Sequence, residues 1–249
     1  MKLYELIGKS LKHSASPAIY REIFEREGRT DCSYQLFELP SIEELPRLLE
    51  TQSELLGFNV TFPYKELIIP HLDKLSQAAD EIGAVNVVTV KRNAGQIRLT
   101  GHHSDWEGFS ESLTGESLPA QALILGTGGA ARAVAYALRQ REITCQFVSR
   151  TGKDGALRYE EVDDEVLRSH RLIVNCTPLG TAGLHGEEMP PLPYRHLTQD
   201  HFLYDLVYNP EVTPFLQQGS EHGCRIKNGW EMLHAQAEIS WQIFKSALP

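Results

Sequence analysis

Apolar and polar residues divide this chain into short segments of two kinds, some with a period of 2 and some with the helical period of 3.6. Leu3 to Ile7 reads as a strand. The helix after it takes Ser16 as its cap, Pro17 as its first helical residue and Ile19, Tyr20, Ile23 and Phe24 as its apolar face, and Gly28 ends it. Ser33 to Leu39 is a second strand, Ser41-x-x-Glu44 a capping box opening a helix to about Thr51, and Leu55 to Val60 a third strand. Thr61 then caps a short helix entered through Pro63. Ser76 to Ile82 forms another, stopped by Gly83, and Val85 to Val90 pairs with Gln96 to Thr100 as a hairpin around Asn93-Ala94-Gly95. Polar residues from Gly101 to Gly108 lead into a helix with Phe109 and Leu113. This alternation predicts a parallel or mixed α/β sheet for the first half of the chain.

The second half starts from Ala122 to Leu125, an apolar run of strand length followed by Gly126 and Gly128, where the backbone can turn sharply. A helix from Gly129 to Arg141 begins at once, with Ala130, Val134, Ala137 and Leu138 on one face. Its unpaired N–H groups face whatever sits over the glycines. The spacing Gly126-x-Gly128-x-x-Ala131 fits the dinucleotide fingerprint, small Ala131 standing where many such loops carry a third glycine. A plain tight turn would use the same letters, but the strand before them and the helix after them favour a nucleotide site. Thr144 to Val148 is the next strand, and an acidic residue at its end would bind the ribose of NAD. The chain has Ser149-Arg150-Thr151-Gly152-Lys153 there. A guanidinium beside an ammonium suits the 2′-phosphate of NADP, the alternative being two solvated loop charges, and NADP is the expectation. Leu172 to Val174 is a further strand, whose turn, Asn175 to Gly180, should cover the dinucleotide. After the proline-rich stretch Met189 to Tyr194 come a strand from Phe202 to Val207, a helix from Pro214, a short strand from Cys224 to Lys227 and a final helix from Trp230.

Composition narrows the partners. At 249 residues, with 41% hydrophobic and 23% charged residues, the chain is long enough for two domains of modest size. No apolar run approaches the ~20 residues of a membrane span, and the segment after Met1 lacks a signal-peptide core, so cytoplasm and no membrane are expected. A formal charge of −9 argues against nucleic acid. Cys32, Cys145, Cys176 and Cys224 read as reduced core residues, and the histidines form no zinc-binding spacing, so no metal is expected.

Candidate chemistry gathers in the first half. His13-Ser14-Ala15-Ser16 puts two hydroxyls at the positive end of a helix, where a carboxylate can be held, unless Ser16 only caps and Ser14 is solvated. Asn59-Val60-Thr61-Phe62-Pro63-Tyr64-Lys65 places a lysine in the first turn of a helix, which the macrodipole disfavours. Lys65 therefore either reaches solvent or is held for a substrate or a carboxylate partner. Asn86, flanked by valines, needs a buried partner, and Asp105 suits the first turn of the helix it opens.

Taken as a set, Ser14-Ala-Ser16-Pro17, Asn59-Val-Thr61-x-Pro63-x-Lys65, Gly83-Ala-Val-Asn86, Gly126-x-Gly128-Gly129-Ala130-x-Arg132, Asn175-x-Thr177-Pro178-x-Gly180 and Met232-Leu233-x-Ala235-Gln236 resemble the shikimate dehydrogenase family. The resemblance runs from the first strand to the last helix. It implies an N-terminal α/β substrate domain of residues 1–104, completed by a C-terminal helix at 229–249. A Rossmann-like NADP-binding domain of residues 105–228 would follow, with the cleft between the two. It also implies reversible NADP-dependent reduction of 3-dehydroshikimate to shikimate, in chorismate and aromatic amino acid biosynthesis, by a monomer or homodimer.

In that family reading Lys65 and Asp105 are the catalytic pair. Ser14 and Ser16, helped by Thr61, would bind the substrate carboxylate, while Asn59, Asn86, Asp105 and Gln236 hold its hydroxyls and Tyr208 lies near it. Gly126, Gly128, Gly129, Ala130, Ser149, Arg150, Thr151, Lys153, Thr177 and Gly229 would hold NADP. The chain departs from the family pattern at His103-Ser104 (usually Asn-Thr), Tyr20-Arg21 (usually His-Asn), Val87 (Thr), Ser149 (Asn) and Thr181 (Met). A relative acting on quinate or an amino analogue is the alternative within the class. A catalytically silent NADP-binding redox sensor is the alternative outside it, and retention of both Lys65 and Asp105 speaks against that.

Overall fold

Leu3, Tyr4, Leu6 and Ile7 are buried along a strand from Lys2 to Gly8 (β1), around which the first part of the chain is laid. In order follow α1 (Ser16–Arg26), β2 (Cys32–Glu38), α2 (Leu45–Thr51), β3 (Leu55–Val60), α3 (Tyr64–Leu67), β4 (Lys74–Leu75), α4 (Gln77–Ile82), β5 (Val87–Asn93), β6 (Gln96–His102) and α5 (Asp105–Ser112). The computed structural model describes residues 1–12, 14–93 and 95–248; Ala94, at the expected hairpin turn, and His13 lie outside them. The strands form one sheet in the order β2-β1-β3-β5-β6-β4, parallel from β2 to β3 and antiparallel from β3 through β5 to β6.

The period of 2 in β3 separates its two faces. Phe58 and Val60 join Leu3, Ile7, Val88, Val90 and the leucines of α2 in one apolar core. Asn59, between them, points to the other face. On that face Tyr4 packs against Phe24 of α1 and against Trp241 and Phe244 of the final helix, with ring centroids 6.3, 5.4 and 4.9 Å away.

Two expected caps are absent. Ala15 precedes α1 without a capping side chain, and Ser16 is itself the first helical residue, its amide held by Ser14 Oγ at 3.3 Å. Pro17 removes one N–H from that first turn, so a side-chain cap has less to satisfy. Pro63, not Thr61, precedes α3. Ser41 does cap, taking the Glu43 amide, but it opens a 3-10 turn at Ile42–Glu44 that only then leads into α2.

The second part comprises β7 (Gln121–Leu125), α6 (Gly129–Arg139), β8 (Thr144–Ser149), β9 (Leu157–Arg158), α7 (Asp164–Ser169), β10 (Leu172–Asn175), β11 (Phe202–Asp205), α8 (Pro214–Glu221) and β12 (Arg225–Lys227), and α9 (Trp230–Ser246) closes the chain's elements. Its sheet has the order β12-β11-β10-β7-β8-β9, every neighbouring pair parallel. Strands step outward one way from β7 to β9 and the other way from β10 to β12. This is the doubly wound order, with its ligand crevice at the carboxyl ends where the order reverses, between β7 and β10. The sequence pattern does not announce α7, because only Leu167 of its residues is buried; Asp163 caps it through the Val166 amide at 2.9 Å.

The chain divides into two compact units, Met1–Glu107 with His234–Pro249, and Gly108–Leu233. The divisions fall inside α5 and α9, and not at 104 and 229, because the buried residues of α9 from Ala237 onward, Trp241 among them, pack on the first unit. All four cysteines are unpaired and half-buried, less enclosed than core residues. Among the described residues no helix is long and apolar enough to cross a membrane.

Candidate active site

α3 carries Lys65 because β3 delivers the chain to it directly, and the Lys65 carbonyl is pinned by the Val85 amide at 2.7 Å. Its ammonium reaches Asp105 Oδ2 at 2.6 Å. Asp105 opens α5, and its second oxygen, Oδ1, accepts from Asn86 Nδ2 at 2.7 Å. The lysine that a helix dipole disfavours is thus held by a carboxylate of the same unit. The Lys65 side chain keeps 21% exposure against 9% for Asp105, so the ammonium stays open to a ligand while the carboxylate is enclosed. Burial by itself would raise the Asp105 carboxyl, but Lys65, His103 and the bonds from Lys65 and Asn86 hold it below its ordinary value. Asp105 is therefore a carboxylate at neutral pH.

Behind this pair lies a chain of buried amides and hydroxyls. Asn86 Nδ2 also donates to Ser104 Oγ at 2.9 Å, and Asn86 Oδ1 accepts from the Ser104 amide at 2.7 Å. Ser104 Oγ lies 2.9 Å from Ser240 Oγ and donates to Gln236 Oε1 at 3.3 Å, which ties α9 to the cluster. Asn59 donates to the Asn86 carbonyl and to Ser240 Oγ, both at 3.1 Å, and accepts from Tyr20 and Tyr34 at 2.9 and 2.8 Å. The Tyr20 and Tyr34 rings stack at 3.8 Å and 7°. Burial raises both phenols above their ordinary value, so they stay protonated and donate. Ser14 Oγ donates to Ser16 Oγ at 3.2 Å.

Of the expected substrate residues, Asn59, Asn86 and Gln236 thus join one network with Lys65 and Asp105, while Ser14 and Ser16 bond each other at the start of α1. Thr61 lies half-buried just beyond β3, its amide on the Ile7 carbonyl at 2.9 Å. Tyr208 belongs to the second unit, its ring 6.2 Å from that of Trp230. The sequence pattern missed Tyr20, Tyr34 and Ser240 as members. Ser240 carried a signal, since it stands one helical turn after Gln236 on the same face, whereas Tyr20 reads only as part of an apolar stripe.

In the second unit Gly126 has φ +106°, which a side chain would strain, and its amide bonds the Val148 carbonyl at 2.8 Å. Gly128 precedes α6, no side chain caps that helix, and a Cβ on Gly128 would meet nothing within 4 Å. Gly129 and Ala130 form the first turn. Unbonded amides at an open helix end suit a phosphate. Ser149 Oγ accepts from the Gly152 amide at 3.0 Å, shaping a turn on which Arg150, Thr151 and Lys153 are exposed.

Thr177 donates to Asn175 Oδ1 at 2.7 Å, and Asn175 Nδ2 to Asp205 Oδ1 at 2.9 Å, so the carboxyl ends of β10 and β11 are braced. Asp205 is fully buried and its carboxyl is pushed up to about 7 by that burial, against bonds from Thr213, Val207 and Asn175. Gly229 stands where a Cβ would lie 2.1 Å from the Leu206 carbonyl oxygen, a close backbone approach that itself requires glycine. The charges and open amides of this loop fit an adenine dinucleotide with a 2′-phosphate. Among the described residues no cluster of His, Cys, Asp and Glu is gathered as a metal ion requires.

A family model described as the shikimate dehydrogenase substrate binding domain matches residues 6–88. The shikimate dehydrogenase (NADP(+)) of Thermus thermophilus is 37% identical over 257 residues, covering 100% of this chain and 94% of that one. The structure of shikimate 5-dehydrogenase from Thermus thermophilus in complex with NADP(H) and shikimate matches with a TM-score of 0.85 at 33% identity, over 100% of this chain and 95% of that one. Quinate dehydrogenase from Corynebacterium glutamicum in complex with NAD matches with a TM-score of 0.84 at 26% identity, over 98% and 93%.

Proposed function

The chain belongs to the shikimate dehydrogenase family, and from that premise we propose that it interconverts 3-dehydroshikimate and shikimate with NADP as its redox partner. The observation that carries this reading is the Lys65–Asp105 pair at 2.6 Å, its carboxylate enclosed and backed by Asn86. Bound NADPH would supply the hydride for ketone reduction. The residues of the chain do the rest. As negative charge grows on the ketone oxygen, Lys65 stabilises it and gives up a proton to it, and in the reverse direction the lysine takes that proton back from the hydroxyl. Asp105 stays ionised and keeps the Lys65 head aimed.

Ser14, Ser16 and Thr61 would take the substrate carboxylate, and Asn86, Asp105 and Gln236 its hydroxyls. Asn86 suits this because its Oδ1 accepts only the Ser104 amide among the described residues, leaving a lone pair. For the cofactor, Gly126, Gly128, Gly129 and Ala130 would receive the pyrophosphate, and Ser149, Arg150, Thr151 and Lys153 the 2′-phosphate, with Thr177 bordering the crevice. Tyr208 and Gly229 complete the family's set. We place the enzyme in the cytoplasm, as a monomer or homodimer.

Initial rates at the reduced-nicotinamide absorbance band test this with shikimate or quinate and NADP or NAD, in all four combinations. Fastest turnover with shikimate and NADP is expected. Preference for quinate or NAD would move the assignment to the quinate-using relatives. NADP binding without turnover of either substrate would mark a sensor.

A further inference from the structure

We propose that Asn59 is a positioning residue and not a substrate ligand: clamped by Tyr20 and Tyr34, its amide fixes Asn86 and Ser240, and through them the carboxylate that aims Lys65. The inference rests on the reading of Lys65 and Asp105 as the acid–base pair.

A side-chain amide has two N–H donors and two carbonyl lone pairs. In Asn59 all are occupied within the chain: Tyr20 and Tyr34 donate to Oδ1, and Nδ2 donates to the Asn86 carbonyl and to Ser240 Oγ. The orientation is unambiguous, because exchanging O and N would press two carbonyl oxygens together at Asn86. A substrate hydroxyl would have to displace one of these bonds. Asn59, Tyr20, Asn86 and Ser240 are 6%, 1%, 3% and 0% exposed, so a displaced partner would be stranded away from water.

What this amide holds is the back of the acid–base pair. The Asn86 carbonyl receives both Asn59 Nδ2 and the Val60 amide, at 3.1 and 2.9 Å, which fixes the residue whose side chain bonds Asp105. The second route runs from Ser240 to Ser104, whose amide grips Asn86 Oδ1. Both converge on the Asn86 side chain. At the other end, Tyr34 of β2 and Tyr20 of α1 bring two further elements onto the same amide. Tyr20 supplies one of the two donors that lock the amide.

Tyr20→Phe and the double variant Tyr20→Phe/Tyr34→Phe test the proposal, since phenylalanine keeps the stacked rings and removes only the donors. Tyr20→Phe should lower kcat about 3- to 10-fold with KM for shikimate within about twofold, and the double variant should lower kcat further. In the same variant without substrate, the Asp105 carboxyl, followed by carbon NMR, should titrate at higher pH as its Asn86 bond loosens. Unchanged kcat and unchanged Asp105 titration in the double variant overturn the proposal. So does an Asn59→Ala variant with KM raised about tenfold at unaltered kcat, the mark of a direct substrate contact. If the unmodified chain fails to turn over shikimate with NADP, the functional reading falls, while the Asp105 titration still decides whether Asn59 positions it.

Discussion

The bonds that meet at Asn59 come from residues 20, 34, 86 and 240, whereas those that shape the turn at Gly126 and Gly128 come from the adjoining residues and the neighbouring strands β8 and β10. In the first unit, side chains satisfy one another away from water, so their geometry is set before any ligand arrives. The loop of the second unit does the reverse. Its helix start is uncapped, its space is open and its cations are exposed, so a ligand would supply the missing partners. A group that must hold a proton at one atom benefits from a fixed frame. A site that grips phosphates needs little more than oriented amides and nearby charge.

The largest expected effect breaks the fixed frame at its working end. Lys65→Ala should lower kcat by about 10²- to 10⁴-fold with a smaller change in KM. A variant with wild-type kcat would remove Lys65 from the mechanism.

Next comes the open loop. Arg150→Ala should weaken NADP about 10- to 30-fold, read by fluorescence titration, and leave NAD almost unchanged, because a charge-assisted bond to the 2′-phosphate is lost. Equal losses for the two cofactors would show that Arg150 does not read that phosphate.

The smallest effect sharpens the contrast within the first unit itself. Glu5 is 1% exposed, and its Oε2 has no partner among the described residues, unlike the amides around Asn59. Burial pushes its carboxyl up to about 7. The folded chain therefore holds this proton more tightly than the unfolded chain does, and stability falls as pH rises from the ordinary carboxylate range through about 7. Glu5→Gln should change stability little near pH 4 and raise it at pH 8 by about 1–3 kcal/mol in urea unfolding. A loss of stability at pH 8 would mean that the charged carboxylate is held by something favourable.

The same contrast governs what the sequence discloses. The glycine loop and its strand and helix are legible because each signal lies within a few residues of the next. Lys65 is legible for a similar reason, as a cation placed where a helix dipole opposes it. The alternation Phe58-Asn59-Val60 tells which way Asn59 points, but not what it meets there. Ser240 and Tyr34 lie 181 and 25 residues from Asn59, and no local pattern pairs residues so far apart. Motif resemblance put Asn59 with the substrate, since a shared letter carries no information on whether its amide is already saturated. The caps expected at Ser16 and Thr61 failed where proline followed, because a helix start with one N–H fewer needs less from its cap.

The run of residues 234–249 that rejoins the first unit also fixes an order of assembly. On a ribosome, Asn59 is made early, and Ser240 follows only after the whole of the second unit, which is contiguous from Gly108 to Leu233 and can fold as it emerges. Until then Phe24 alone of the rings around Tyr4 covers that face of β1, and the amide meant to steer catalysis lacks Ser240, one of its four partners. The unit translated first is therefore the one finished second, and a nascent chain interrupted inside α9 would carry a formed dinucleotide fold beside an unfinished proton-transfer site.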